Sequence, residues 1–262
     1  MNRVRRRTFC IRGVAAFALL PGVGALVGCQ GGAQSAPVEA ATATYEDPLL
    51  EGFAATYTAT IADAIDQVVG QRGYLGYDVK PQVPGSFVGR AVTVLVRPAT
   101  PEESTPTLAV QHSVEMLDGA QPGEVGVFVM EGTLDVAAMG DMMGLTAKSR
   151  GMAGVVIDGA VRDVARLREI GLPVFARSVS PATVVGRYAT VARQIPIEVT
   201  GVTINPGDIV VADEDGVVVV PQAYAEAVLQ RAREIDQREA EMVPKILEYK
   251  SLQRAIQEFN RI

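Results

Sequence analysis

The chain has 262 residues, 24 basic against 30 acidic, for a formal charge of −6. Apolar residues make up 48% and charged residues 21%, which excludes a disordered chain and a multi-span membrane protein. The acidic balance argues against a nucleic-acid partner, and two cysteines with one histidine exclude both a Cys/His structural zinc site and a disulfide scaffold.

Five arginines (Arg3, Arg5, Arg6, Arg7 and Arg12) precede an apolar run from Gly13 to Gly28, and no acid occurs before Glu39. That is the charged start and short apolar stretch of an export signal, read here as residues 1–28. The run is too short and too rich in glycine for a spanning helix. Arg6-Arg7-Thr8-Phe9 resembles the twin-arginine motif, with Arg5 where Ser or Thr is usual. Leu26-Val27-Gly28-Cys29 resembles a bacterial lipobox, which implies cleavage before Cys29 and acylation of its thiol. The expected product is an exported chain, lipid-anchored at a membrane on the periplasmic side of the cell envelope. Loss of the five leader arginines leaves 19 basic against 30 acidic residues, a charge of −11. Residues 29–48 are small and polar and read as a flexible tether, so the folded domain is expected over 49–262.

Within that domain, Thr58–Gly70 carries apolar residues at 61, 64, 65, 68 and 69, a helical stripe. Ser86–Pro98 is rich in β-branched residues and predicts a strand. Leu108–Leu117 predicts a helix closed by Pro122-Gly123, and Val125–Met130 a strand. Ala137–Arg150 reads as one helix stopped by Gly151. Gly154–Ile157 reads as a buried strand, Val164–Ile170 as a short helix and Leu172–Ala176 as another strand. Ile195–Thr203 and Ile209–Ala212 predict strands, and Val217–Val220 follows across the Asp213-Glu214-Asp215-Gly216 turn as a hairpin. A long charged helix over Ala223–Glu248 and a shorter one over Ser251–Phe259 close the chain. Alternating strands and helices with a closing hairpin make an α/β domain of mixed strands, without internal repeat or second domain.

Asp158-Gly159-Ala160 follows a buried strand, and Arg162-Asp163 then stands at a helix start. Open α/β sheets bind ligands beyond the carboxyl ends of their strands, so this cation and carboxylate are placed for function. A helix-start acid meeting the helix dipole, beside a surface arginine, explains the same spacing. His112, the only histidine, sits in a helical pattern and reads as structural. Met139, Met142, Met143 and Met152 read as core packing. Lys148 reads as a surface lysine, and Asp213-Glu214-Asp215 as a turn rather than a calcium site. Gly151-Met152-Ala153-Gly154 lacks a nucleotide-loop pattern.

Asp141, then twenty residues, then Arg162-Asp163 resembles the signature of the RraA-like family, which includes class II 4-hydroxy-4-methyl-2-oxoglutarate and 4-carboxy-4-hydroxy-2-oxoadipate aldolases. Pro122-Gly123-Glu124-Val125, Leu172-Pro173-Val174-Phe175, Pro206-Gly207-Asp208 and Ala212–Pro221 resemble further family motifs, and the similarity runs from about Ala62 to Glu241. The resemblance implies a single swivelling β/β/α domain with C-terminal helices, assembled as trimers or hexamers with sites between subunits. It implies that Asp163 holds Mg²⁺ or Mn²⁺, that Arg162 grips a small 2-oxo acid substrate, and that Asp141 positions a water. It also implies that the backbone of Gly140, Asp141, Met142 and Met143 receives the substrate carboxylate, and that Glu239 reaches a neighbouring subunit's site. The activity implied is metal-dependent retro-aldol cleavage to pyruvate, with oxaloacetate decarboxylation through the same enolate. Two alternatives come with it. Some relatives are non-catalytic regulators that bind ribonuclease E, and an exported chain could instead capture oxo acids without turning them over.

Overall fold

The computed structural model describes residues 47–259, so the export signal, Cys29 and the tether up to residue 46 lie outside the described residues. The first helix, α1 (Pro48–Ala54), starts where the Asp47 carboxylate accepts the Leu49 N–H at 3.0 Å and Pro48 pre-sets the first turn. α2 (Thr58–Val68) buries the predicted apolar stripe and is capped from a distance: Asp213 accepts the Thr58 N–H at 3.0 Å and its hydroxyl at 2.6 Å. Then come β1 (Lys80–Val83), β2 (Phe87–Pro98), a 3₁₀ turn at Leu108–Val110, α3 (Gln111–Gly119), β3 (Val125–Met130), β4 (Ala137–Met139) and α4 (Asp141–Ser149). The chain continues through β5 (Gly154–Val161), α5 (Val164–Ile170), β6 (Val174–Val179), β7 (Tyr188–Arg193), β8 (Ile197–Val199) and β9 (Val202–Ile204). It closes with β10 (Ile209–Asp213), β11 (Gly216–Val220), α6 (Ala225–Tyr249) and α7 (Leu252–Phe259).

The main sheet runs β1-β6-β5-β3-β2-β10-β11, with β2, β3, β5 and β6 parallel and both flanks antiparallel. Its two edges are bridged by one segment. Gly73 and Leu75 exchange hydrogen bonds with β11, and a few residues later β1 pairs with β6. The sheet therefore curls into a near-barrel. Alternation along each strand sorts the core. Val125, Val127 and Val129 of β3 face the interior with Phe87, Phe175, Ile197 and Ile204. Phe128 and Met130 face outward, under α3, α4 and α5. Ile209, Val211, Val218 and Val220 face a third layer made by α1, α2 and α6.

Three predicted elements differ. Ala137–Arg150 is not one helix: Ala137–Met139 is a buried strand paired with β5, and the helix starts after Gly140. The run Ala-Ala-Met is compatible with either state, and a free ladder edge on β5 decides it. Ile195–Thr203 is a hairpin, not a strand, because Thr200 (φ 48°) and Gly201 (φ 85°) reverse the chain. The β5 strand continues past Ile157 to Val161, which brings Arg162 directly to its carboxyl end. β1 and β7 fall in stretches with no strand signal. Among the described residues, no helix is long and apolar enough to cross a membrane.

Candidate functional site

Two chain reversals bring the predicted residues together. β4 ends at Met139, whose carbonyl accepts the Arg162 N–H at 3.0 Å. Gly140, the N-cap of α4, thereby lies beside Arg162 and Asp163, the turn into α5. Asp163 itself takes the left-handed conformation (φ 56°, ψ 33°), which aspartate tolerates better than most side chains. Its Oδ2 accepts the Asp141 N–H at 3.3 Å and stands 3.4 Å from Arg162 Nε. The Met142 N–H donates to Asp141 Oδ1 at 2.8 Å. Two first-turn amides of α4 thus already meet carboxylate oxygens, the kind of partner a helix start attracts. Asp141 is 30% exposed, Arg162 40% and Asp163 39%, so they are open to a ligand.

Tight packing fixes this geometry. A Cβ on Gly140 would lie 2.5 Å from Asp163 Oδ2 and 2.9 Å from Arg162 Nε. A Cβ on Gly144 would lie 2.1 Å from a Leu167 methyl, so α4 and α5 approach as closely as they do only with glycine there. Arg166, one turn beyond Arg162, places Nε 3.9 Å from Asp141 Oδ2. The sequence reading overlooked this residue, because Arg162 lies before the Asp163 N-cap and no helical spacing links the two.

Other expectations resolve individually. Glu239 is on α6, which packs with α1 and α2, a different layer from α4 and α5. Met139 and Met152 are core, but Met142 is 73% exposed at the start of α4. Lys148 is exposed and donates to the Gly171 carbonyl. His112 lies at the surface, 3.1 Å from Glu115. Asp213 does cap a helix and a turn, as its place in the hairpin suggests.

A concavity of about 670 Å³ lies elsewhere, at the carboxyl ends of β2 and β3, and none of Asp141, Arg162 and Asp163 lines it. Four of the five charged residues that line it are engaged in ion pairs. Arg97 and Glu131 form a double hydrogen bond, and Arg177 bridges Asp158 at 2.8 Å and Asp78 at 2.7 Å. Asp158, with Asp78, holds the Arg177 guanidinium above its ordinary value. That network ties strands together, whereas the α4–α5 cluster has charges in longer, more open contacts. The cluster is the better candidate site.

No group of three or more His, Cys, Asp or Glu side chains gathers as a metal cage among the described residues. A hard divalent ion that keeps most of its waters needs only one or two carboxylates. Asp163, with one oxygen engaged and its side chain open to water, fits that kind of ion.

The RraA-like (Aldolase/RraA) sequence profile matches residues 58–219, the span that holds Asp141, Arg162 and Asp163. The chain belongs to the RraA-like family. It is 35% identical over 181 residues to a Halalkalibacterium halodurans protein named "Putative 4-hydroxy-4-methyl-2-oxoglutarate aldolase", covering 67% of this chain and 78% of that one. It is 30% identical over 212 residues to Legionella pneumophila protein DlpA, covering 80% of this chain but only 34% of that protein's length. Among solved RraA-like folds, an uncharacterized Pseudomonas syringae protein matches with a TM-score of 0.69 at 33% identity, over 79% of this chain and 96% of its own. Streptomyces coelicolor RraAS2, described as an unusual member of the RNase ES inhibitor RraA protein family, matches with a TM-score of 0.64 at 28% identity, over 75% and 98%.

Proposed function

We propose that this RraA-like chain is a divalent-metal-dependent lyase that cleaves a 4-hydroxy-2-oxo acid of the 4-hydroxy-4-methyl-2-oxoglutarate type to pyruvate. The observation that carries the reading is the convergence of Asp141, Arg162 and Asp163 around Gly140. The aldolase name of the Halalkalibacterium relative supports it.

In this reading Asp163 holds Mg²⁺ or Mn²⁺, which when bound supplies Lewis-acid polarisation of the 2-oxo group. The amides of Gly140 to Met143 receive the substrate carboxylate, which replaces the acidic side chains that now engage the Asp141 and Met142 N–H groups. Arg162 faces the 2-oxo group with a planar fork suited to paired oxygens. A water held by Asp141 takes the proton of the C4 hydroxyl. The C3–C4 bond then breaks, its electron pair moves toward the 2-oxo oxygen, and C4 leaves as a second carbonyl compound. Arg162 stabilises the enolate charge as it grows. The proton taken from the C4 hydroxyl returns from that water to C3 of the enolate, which gives pyruvate. Loss of carbon dioxide from oxaloacetate makes the same enolate, so the site handles both.

Pyruvate release from both substrates, with Mg²⁺ and then with chelator, tests the reading. Metal-dependent release is expected. A folded, magnesium-binding protein that releases none from either substrate would leave an oxo-acid-binding role in its place.

We further propose that the chain works as a homotrimer or hexamer, with Glu239 supplied to a neighbouring subunit's site. The arginine-rich leader and the Leu-Val-Gly-Cys motif support export and lipid anchoring at Cys29. Cys29→Ser should move the protein from the membrane to the soluble envelope fraction; a variant that stays with the membrane rules out the anchor.

A further inference from the structure

We propose that Arg166 determines specificity at this site by binding the second carboxylate of a dicarboxylic 2-oxo acid. The inference rests on the proposed reading only for the divalent ion and for the place of the first carboxylate, between Arg162 and the start of α4. Arg166 lies in the first turn of α5 and Arg162 just before its Asp163 N-cap; Arg162 meets Asp163, Arg166 meets Asp141, and the Asp141 N–H joins the two acids, so both guanidinium groups border one cluster. Arg166 Nε is 3.9 Å from Asp141 Oδ2, and its Nη1 is 3.3 Å from Glu169 Oε2 on its own helix. The side chain is 69% exposed, and both contacts are long surface pairs that hold it weakly. Other cations nearby are committed to backbone: Arg168 donates to the Gln82 carbonyl and Lys148 to the Gly171 carbonyl. Arg166 is therefore a cation at the rim of the cluster that can change partner without disturbing the fold.

Charge balance assigns it an occupant. Arg162 and Arg166 offset Asp141 and Asp163, so with the divalent ion of the proposed reading the cluster would sum to +2, which two carboxylates neutralise and one does not. A dicarboxylate brings two negative charges beside Asp141. Without Arg166, its distal carboxylate would face the Asp141 carboxylate with no cation between them. With Arg166, the distal carboxylate has a planar fork of its own, while the first stays on the amides of α4. A monocarboxylic 2-oxo acid leaves Arg166 on Asp141 and gains nothing from it.

Calorimetric titration of the full chain in Mg²⁺ with 2-oxoglutarate and with 2-oxopentanoate tests this, because the two ligands have equal chain length and differ in the distal carboxylate. The wild type should prefer 2-oxoglutarate. Arg166→Ala should lower that preference by about 10- to 100-fold, the worth of one charge-assisted contact. Arg166→Lys should retain part of it, and Arg166→Glu should reverse it. No preference in the wild type, no binding of either ligand, or a preference unchanged in Arg166→Ala would overturn the assignment. The titration needs no turnover, so the two proposals separate. A preference lost in Arg166→Ala without any pyruvate release would refute the lyase and keep Arg166. Pyruvate release with an unchanged preference would do the reverse.

Discussion

A methyl group on Gly140 would stand 2.5 Å from Asp163 Oδ2 and 2.9 Å from Arg162 Nε, so the residue acts by what it leaves out. Its backbone (φ −131°, ψ −166°) is extended and open to any side chain; only the space is restricted. Gly140→Ala should therefore push the acid and the arginine apart while the fold persists. A displacement of this size can cost about 100-fold in turnover, and the thermal midpoint should move by only a few degrees. Near-wild-type turnover would show that the Arg162–Asp163 geometry does not matter. Asp141, Arg162 and Asp163 were legible in the sequence because the acid-then-Arg-Asp spacing survives intact. Two things were hidden. The left-handed backbone at Asp163 comes from a turn that no local glycine announces. Arg166 carries no signal until its helix is seen beside Asp141.

At the scale of elements, strong local signals transferred well. Val125–Met130 and Val164–Ile170 have the predicted bounds, because a β-branched run and an apolar helical stripe each allow one answer. Ala137–Met139 failed because its residues suit helix and strand alike, and a partner distant in sequence chose. β7 failed for a related reason: it is an added strand on the second half of β2, and only two of its six residues are buried. Long-range capping is likewise invisible in sequence. Asp213, in the hairpin turn, accepts two hydrogen bonds from Thr58 at the start of α2, 155 residues away in the chain. Asp213→Ala should cost about 0.5–2 kcal/mol, as other helix caps do. Each kcal/mol lowers the midpoint by about 2–4 °C in a domain of this size. Amide exchange should quicken in the first turn of α2; unchanged exchange there would mean the cap is dispensable.

For the whole molecule, one domain wraps an apolar near-barrel with helices on two outer faces, and the site sits where β4 and β5 hand over to α4 and α5. The first described residue also pins the domain's start to the sheet. Asp47 pairs with Arg90 of β2 at 2.6 Å, and this guanidinium holds the Asp47 carboxyl below the usual carboxylate range. A depressed carboxyl stabilises the fold above its unfolded value near about 3.9, and that contribution is lost as pH falls through the lowered folded value. Asp47→Asn keeps an acceptor for the Leu49 N–H and removes the charge. The wild type should be the more stable at neutral pH, by under about 1 kcal/mol for a pair this exposed. The difference should vanish once Asp47 is protonated in the folded chain; a difference that persists in acid would assign it to the cap and not to the pair. The central claim is chemical, and one comparison tests it most directly: pyruvate release from 4-hydroxy-4-methyl-2-oxoglutarate by the wild type and by Asp163→Asn, each with and without Mg²⁺. Asparagine tolerates the left-handed turn and can accept the Asp141 N–H, so the fold should stand while the carboxylate is lost. The account predicts magnesium-dependent release by the wild type and none above background by the variant. Equal release by both, with or without the ion, would contradict it.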